Sequence, residues 1–88
     1  MSQNRQEPLL YTLSTGNLVI EGARSVSVYT DGGTTNVANG VSQVMTLPAS
    51  TTIELNADTG NTLNVITVAP VTGAAYVTTI GGTATLNP

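Results

Sequence analysis

The chain has 88 residues, of which five are acidic, two are arginine and none is lysine, and its net charge is −3. This scarcity of cations argues against binding to nucleic acid, which needs several positive side chains on one face, and against anionic membrane surfaces. Cysteine and histidine are also absent. Disulfides are therefore excluded, and a transition-metal site would have only carboxylate ligands. Because so small a domain is marginally stable alone, we expect it to oligomerise.

The first eight residues are polar, lack apolar periodicity and end at Pro8. We predict an N-terminal arm over residues 1–8 and a single β domain over residues 9–88. The arm either frays or becomes ordered on a neighbouring subunit. No stretch approaches the roughly 20 apolar residues that span a membrane, and the N-terminus lacks the apolar core of a signal peptide. We therefore expect a protein that is made and used in soluble form.

The composition favours β-strands, because threonine, valine and isoleucine together account for 30 of the 88 residues. Turn residues interrupt every apolar run before three helical turns could form. In chain order, the predicted strands cover residues 9–13, 17–21, 25–30, 34–38, 41–47, 51–56, 63–69, 74–80 and 83–86. Short strands at this spacing predict an all-β fold, a small antiparallel β-sandwich or barrel that is jelly-roll-like with short hairpins.

Two kinds of strand can be distinguished by their periodicity. In the stretch "RSVSVYT", Val26 and Val28 alternate with polar neighbours, and "TTIELN" has the same alternation around Ile53 and Leu55. Both stretches predict half-buried strands. The stretch "LNVITVA", residues 63–69, is apolar at most positions. It therefore predicts a central strand that is covered on both faces.

Two dipeptides predict tight hairpin turns. Asp31-Gly32 and Asn39-Gly40 both suit type I′ turns, in which the two central residues have positive φ. We therefore expect the short chain to fold back on itself at both places as hairpins.

The few reactive groups suggest three candidate chemistries. Asp58-Thr59-Gly60 is the triplet that carries the catalytic carboxylate of aspartic proteases, but Asn56 and Ala57 replace the buried apolar strand that should precede it. Calcium binding at the same stretch lacks the spaced acids and the terminal bidentate glutamate of a calcium loop. Nucleophilic catalysis by serine or threonine lacks a histidine or lysine base. The sequence predicts a non-enzymatic protein with no catalytic residue, no metal and no cofactor.

A binding function is the alternative, with tyrosine as the aromatic contact. Among the three tyrosines, Tyr29 falls on the polar face of its strand and is the best candidate for stacking on a sugar, with Asp31 and Asn36 nearby in sequence. Packing of Tyr29 at the rim of the core is the competing interpretation.

The strand pattern resembles that of small β-rich accessory proteins of tailed-bacteriophage virions, of the head-decoration or cement type. The similar stretches are "GARSVSVYTDGG", "VMTLPASTTIEL", "NTLNVITV" and "AAYVTTIGG", within residues 22–82. They share a strand after a small-residue turn, a proline-containing corner, an Asn-Thr-Leu entry to an apolar strand and a closing strand with tyrosine. Where a glycine is expected after the Pro-Ala corner, this chain has Ser50.

The resemblance implies a structural virion protein that decorates and stabilises the capsid as a homo-oligomer, with a trimer favoured. Its partner would be the major capsid protein or another virion protein, and it would be made in the host cytoplasm. Leu9, Leu10 and Leu13 are the apolar residues expected to bridge subunits, beside Tyr29, Asp31 and Asn36. The alternative is a fibre or tail-associated binding module that recognises a surface glycan or another virion protein.

Overall fold

A computed structural model describes residues 9–40 and 43–87, and the chain in these ranges forms β-strands connected by turns and loops. The prediction of an all-β fold is confirmed. The predicted N-terminal arm and the first two residues of the predicted strand 41–47 lie outside the described residues. The strands are β1 (Leu9–Leu13), β2 (Asn17–Glu21), β3 (Ser25–Asp31), β4 (Thr35–Asn39), β5 (Gln43–Leu47), β6 (Thr52–Asn56), β7 (Ile66–Pro70), β8 (Ala74–Ile80) and β9 (Thr83–Asn87).

The strands form two antiparallel sheets that pack face to face as a sandwich. Sheet 1 has the order β1-β8-β3-β6, and sheet 2 has the order β5-β4-β7-β2-β9. The four strand pairs β1–β8, β2–β7, β3–β6 and β4–β5 are nested within one another along the chain. This nesting is that of a long hairpin wrapped into a jelly roll, and β9 extends it by pairing with β2.

Of the two hairpins expected from the turn sequences, the one at Asn39-Gly40 is confirmed, because it joins the paired strands β4 and β5, and the one at Asp31-Gly32 is wrong. Only β4 and β5 are consecutive strands that pair with each other, and every other connection between described strands carries the chain from one sheet to the other. Asp31-Gly32 lies at such a crossing. The type I′ geometry is also wrong, because only the glycines of the two dipeptides have positive φ, 77° at Gly32 and 71° at Gly40. The closely spaced turns therefore carry the chain from one sheet to the other and back.

Glycines let two of these crossings pack against each other at one end of the sandwich. Gly73, between β7 and β8, has a φ of 71°, and a Cβ there would lie 2.7 Å from the nitrogen of Gly33. The same turns share backbone bonds, since the N–H groups of Val71 and Thr72 donate to the Thr34 carbonyl over 2.8 and 3.2 Å. A side chain at Gly73 would separate the two turns.

The core lies between the sheets and consists of aliphatic side chains. The chain has no phenylalanine or tryptophan, and valine, leucine and isoleucine fill the interior at alternate strand positions. The buried apolar residues are Leu13, Leu18, Ile20, Ala23, Val26, Val28, Val37, Leu47, Ile66, Val68, Ala75 and Val77.

The predicted central strand is confirmed in position but not in extent or burial. β7 is the middle strand of sheet 2, yet it begins at Ile66 rather than at residue 63. Val65 is exposed, while Thr67 and Ala69 on the outer face are half-buried. In a two-layer sandwich each sheet has one inner face, so apolar runs do not imply cover on both sides.

The connection from β5 to β6 is held by Thr30 at the end of β3. The buried Thr30 hydroxyl donates to the Pro48 carbonyl and accepts from the Thr51 N–H over 3.0 Å. The Ser50 N–H donates to the Thr30 carbonyl over 3.0 Å. Ser50, where the resemblance leads one to expect glycine, has a φ of 59°. The corner therefore adopts the left-handed backbone conformation that favours glycine, with a serine in its place.

Candidate functional site

An apolar groove runs along the open side of the sandwich, where edge strand β5 of sheet 2 lies near edge strand β6 of sheet 1. We name it the β5–β6 groove, and its volume is about 340 Å³. The lining residues are Val37, Asn39, Val44, Met45, Ile53 and Leu55. Five of these six side chains are apolar, so the groove is suited to an apolar contact.

The strand that borders this groove exposes large apolar side chains. Val44 is 65% exposed and Met45 is 54% exposed. Met45 pairs with the buried Val37 of β4 and so belongs to the inner face of sheet 2, whereas Val44 belongs to the outer face. On the facing strand, Ile53 and Leu55 are only half-buried although they point towards the core. The hydrophobic interior is thus incompletely covered on this side.

The four edge strands differ in their protection against pairing with another strand. Charged residues and prolines at an edge discourage the addition of another strand. Among the edges, β6 contains Glu54, whereas β1, β5 and β9 contain no charge and each adjoins a proline, at Pro8, Pro48 and Pro88. β5, residues 43–47, contains neither a charge nor a proline. Its backbone N–H and C=O groups on the free side are therefore not guarded by a charge, and this edge also borders the apolar groove.

A second surface lies on the outer face of sheet 1, and we name it the tyrosine surface (Tyr29, Asp31 and Tyr76). Tyr29 of β3 and Tyr76 of β8 are directly opposite in the register of the two central strands. Their rings are nearly parallel, with an angle of 15° and centroids 6.1 Å apart. The two residues are 38% and 42% exposed. Cross-strand pairing therefore holds two aromatic rings together at the surface.

Asp31 completes the tyrosine surface. The hydroxyl of Tyr76 donates to Oδ2 of Asp31 over 3.2 Å. This hydrogen bond, together with the negative charge of Asp31, raises the pKa of Tyr76 above its ordinary value of 10.0. Tyr76 therefore stays protonated as a hydrogen-bond donor throughout the neutral range.

The structure brings together some of the residues predicted from the sequence and separates others. Tyr29 and Asp31 lie side by side, but Asn36 is on the outer face of the other sheet, where its Oδ1 accepts from the Thr46 hydroxyl over 2.7 Å. On β1, Leu9 is exposed and Leu10 is 76% exposed. Leu13 is in the core. The prediction that Leu13 bridges subunits is therefore wrong for the folded chain.

The catalytic and calcium alternatives fall on an exposed turn. The Asn61 N–H donates to the Asp58 carbonyl over 2.9 Å and closes the turn. Oδ1 of Asn56 accepts from the Ser25 hydroxyl over 2.8 Å, so this oxygen is engaged in joining two strands. Over residues 9–40 and 43–87, no three histidine, cysteine or acidic side chains are grouped as metal ligands would be. In the same ranges no helix is long and apolar enough to cross a membrane.

Sequence reasoning missed the β5–β6 groove and the partner of Tyr29. A signal for the groove was present, because no residue between Asp31 and Glu54 is charged. Tyr76 alternates with the buried Ala75 and Val77, which places it on the outer face. The pairing of β3 with β8 could not be read from alternation, since it joins residues 47 positions apart in the chain.

Comparison of the chain with protein-family models, with curated proteins and with solved structures finds no match.

Proposed function

We propose that the protein is a non-enzymatic structural protein of a virus particle, which decorates and stabilises the capsid as a homo-oligomer. The observation that carries this proposal is the uncharged β5 edge, with Val44 and Met45 exposed beside an apolar groove. The virion assignment rests on the resemblance of the strand pattern to head-decoration proteins. Jelly rolls are a common architecture of viral capsid proteins, which agrees with the proposal at the level of fold alone.

The physical argument for assembly begins with the small core. A domain of this size buries only about 60–65% of its unfolded surface, so each uncovered apolar side chain is a sizeable fraction of the available hydrophobic stabilisation. Covering Val44, Met45, Ile53 and Leu55 with another subunit would add to that stabilisation. Strand addition at β5 would satisfy the backbone groups of its free side at the same time.

A trimer requires contacts between different edges. Two β5 edges that pair about a twofold axis give a dimer, whereas β5 of one subunit against another edge of the next gives a ring when the rotation between subunits closes. The second apolar edge is β1, with Leu9 and Leu10 exposed. We therefore propose that β5 and its groove contact β1 of the neighbouring subunit.

The first experiment is sedimentation velocity at micromolar concentration on the full chain and two edge variants. Met45→Lys places a charge at the groove, and Leu10→Lys places one on β1. In the proposed ring each variant loses the oligomer, because a buried unpaired ammonium group is costly. Val71→Lys is the matched control, since Val71 is an exposed valine in the turn after β7, and it should leave the oligomer intact.

Mixing the two edge variants tests the direction of the contact. Met45→Lys keeps an intact β1 and Leu10→Lys keeps an intact β5, so the mixture should form a 1:1 complex although neither variant associates alone. If Leu10→Lys oligomerises like the wild type, the contact is a twofold β5 pairing and the ring is wrong. A wild-type chain that remains monomeric and ignores viral particles would contradict the structural role itself.

The particle-level experiment asks whether the chain stabilises a capsid. Particles that contain the protein, identified by mass spectrometry, are compared with particles assembled without it. We expect the latter to break at lower temperature, and added wild-type protein to restore their resistance. Met45→Lys should fail to restore it, while Val71→Lys should succeed.

A further inference from the structure

We propose that the tyrosine surface is a binding site for a neutral saccharide. Its three side chains combine the two groups that such a ligand requires, aromatic rings for the C–H face of a pyranose and a carboxylate for its hydroxyls. This site is separate from the β5–β6 groove and from the assembly contacts proposed above.

The ring geometry leaves room for a ligand. Two nearly parallel rings can cover at most one face of each other, so Tyr29 and Tyr76 keep at least two faces free between them. The C–H hydrogens of a pyranose carry partial positive charge and contact the negative faces of aromatic rings. Because the free faces of a stacked pair point in opposite directions, one pyranose stacks on one ring, which is that of Tyr29 in this proposal.

The neighbours of the two rings leave the surface accessible. On the flanking strands, the register places Thr12 beside Tyr76 and Thr52 beside Tyr29. Ser27 and Thr78 occupy the next row of the outer face. These small side chains do not reach across the rings, and their hydroxyls add hydrogen-bonding groups at the rim.

Asp31 sets the polarity of the ligand. Its Oδ2 accepts from the Tyr76 hydroxyl, which fixes the carboxylate and leaves Oδ1 to accept from a sugar hydroxyl. A saccharide with its own carboxylate would be repelled by Asp31 and by the net charge of −3. The site therefore selects neutral sugars over uronic acids.

The surface is also preorganised, which lowers the entropic cost of binding. Both tyrosines stand on the two central strands of sheet 1, whose inward neighbours Val28 and Val77 are buried. The backbone under the site cannot shift without disturbing the core.

The experiment is saturation-transfer NMR, followed by amide chemical-shift titration of the isotope-labelled full chain. The neutral probes are maltotriose, cellotriose and triacetylchitotriose, and the acidic probe is trigalacturonic acid. We expect a neutral trisaccharide to bind and to shift the amides around Tyr29 and Tyr76. Tyr29→Thr, which keeps a β-branched residue in the strand, should raise Kd at least ~10-fold, a factor that corresponds to about 1.4 kcal/mol.

Matched variants separate binding from folding. Tyr29→Phe keeps the ring and should retain binding, and Leu86→Thr, which changes an exposed apolar residue of sheet 2, should leave binding unchanged. Asp31→Asn should weaken the neutral ligand several-fold, whereas Glu54→Gln, a carboxylate on the same face, should not. The proposal is overturned if none of the three neutral probes binds, if the acidic probe binds equally well, or if a folded Tyr29→Thr binds as the wild type does.

Discussion

Strands β3 and β6 are neighbours with the same alternating pattern, yet their inward side chains are buried to different degrees. Val26 pairs with Leu55, and Val28 pairs with Ile53. The two valines are fully buried, while the leucine and the isoleucine are half-buried. β3 lies between two strands of sheet 1, whereas β6 is an edge next to the open groove. Alternation tells which face of a strand is inward, but the position in the sheet decides how completely that face is covered.

The largest expected effect comes from replacing an isoleucine by alanine in the buried core. The same replacement on edge strand β6 provides the comparison. Ile66→Ala removes a buried side chain from central strand β7 and should lower the free energy of unfolding by about 3–4 kcal/mol, through lost burial and a cavity. Ile53→Ala on β6 should cost only about 1 kcal/mol in the monomer, because the site is already half open. Urea unfolding at low protein concentration measures both.

Protein concentration provides the control for this pair. If another subunit covers the groove, the cost of Ile53→Ala should grow with concentration, whereas that of Ile66→Ala should change little. Equal costs at every concentration would mean that the β6 side is as well packed as the centre, and the contrast would disappear.

The connection from β5 to β6 is attached to β3 by the buried hydroxyl of Thr30. Thr30→Val keeps the shape of the side chain but leaves the Thr51 N–H and the Pro48 carbonyl without their partner. We expect a loss of about 1–3 kcal/mol in the free energy of unfolding. Amide hydrogen exchange should report faster opening at Thr51 before any change at Val28.

Thr35→Val is the matched control for Thr30→Val. The Thr35 hydroxyl is also buried, but it has no hydrogen-bond partner among the described residues. Its removal should be neutral or stabilising by up to about 1 kcal/mol, because an unpaired polar group leaves the interior. A loss at Thr35 as large as that at Thr30 would contradict the assignment.

A smaller effect is expected at Ser50, in the corner that joins β5 to β6. A left-handed backbone costs a residue other than glycine about 1–2 kcal/mol, while glycine adds about 0.4–1 kcal/mol of entropy to the unfolded chain. The first term is larger, so Ser50→Gly should stabilise the protein by about 0.5–1 kcal/mol. Thermal unfolding measures the change, and Ser50→Ala, which keeps the strain, should show no gain.

The sequence predicted the strands far better than their partners. Alternation and turn residues located all nine strands, and β1, β2 and β8 have the predicted bounds, because local patterns depend on neighbours in the chain. The dipeptide Asp31-Gly32 was interpreted as a hairpin, yet a turn sequence does not specify whether the next strand joins the same sheet or the facing one. The tyrosine surface was found in part, since Tyr29 and Asp31 are close in sequence while Tyr76 joins them only through the fold.

The smallest effect concerns Tyr76 and Asp31, on the outer face of the central strands β8 and β3. Because the inner face of these strands is buried, we expect the contact between the two side chains to be well ordered. The bond to Asp31 raises the pKa of Tyr76, so Asp31→Asn should return that pKa towards 10.0. Absorbance of the tyrosinate during a pH titration, with Tyr76→Phe to assign the signal, measures the change. Glu54→Gln, which removes a carboxylate from the same face, should leave the pKa of Tyr76 unchanged.

The same shift gives a pH dependence of stability with a defined sign. Because the pKa of Tyr76 is higher in the folded than in the unfolded chain, the folded state retains its proton longer. The contribution to stability is complete below pH 10, the unfolded value, and is lost as the pH rises through the folded pKa. Asp31→Asn should therefore flatten the decline of stability at alkaline pH. An unchanged decline would mean that Tyr76 and Asp31 are not held together. The side chains on the outer face of the central strands would then be no better ordered than those on edge strand β6.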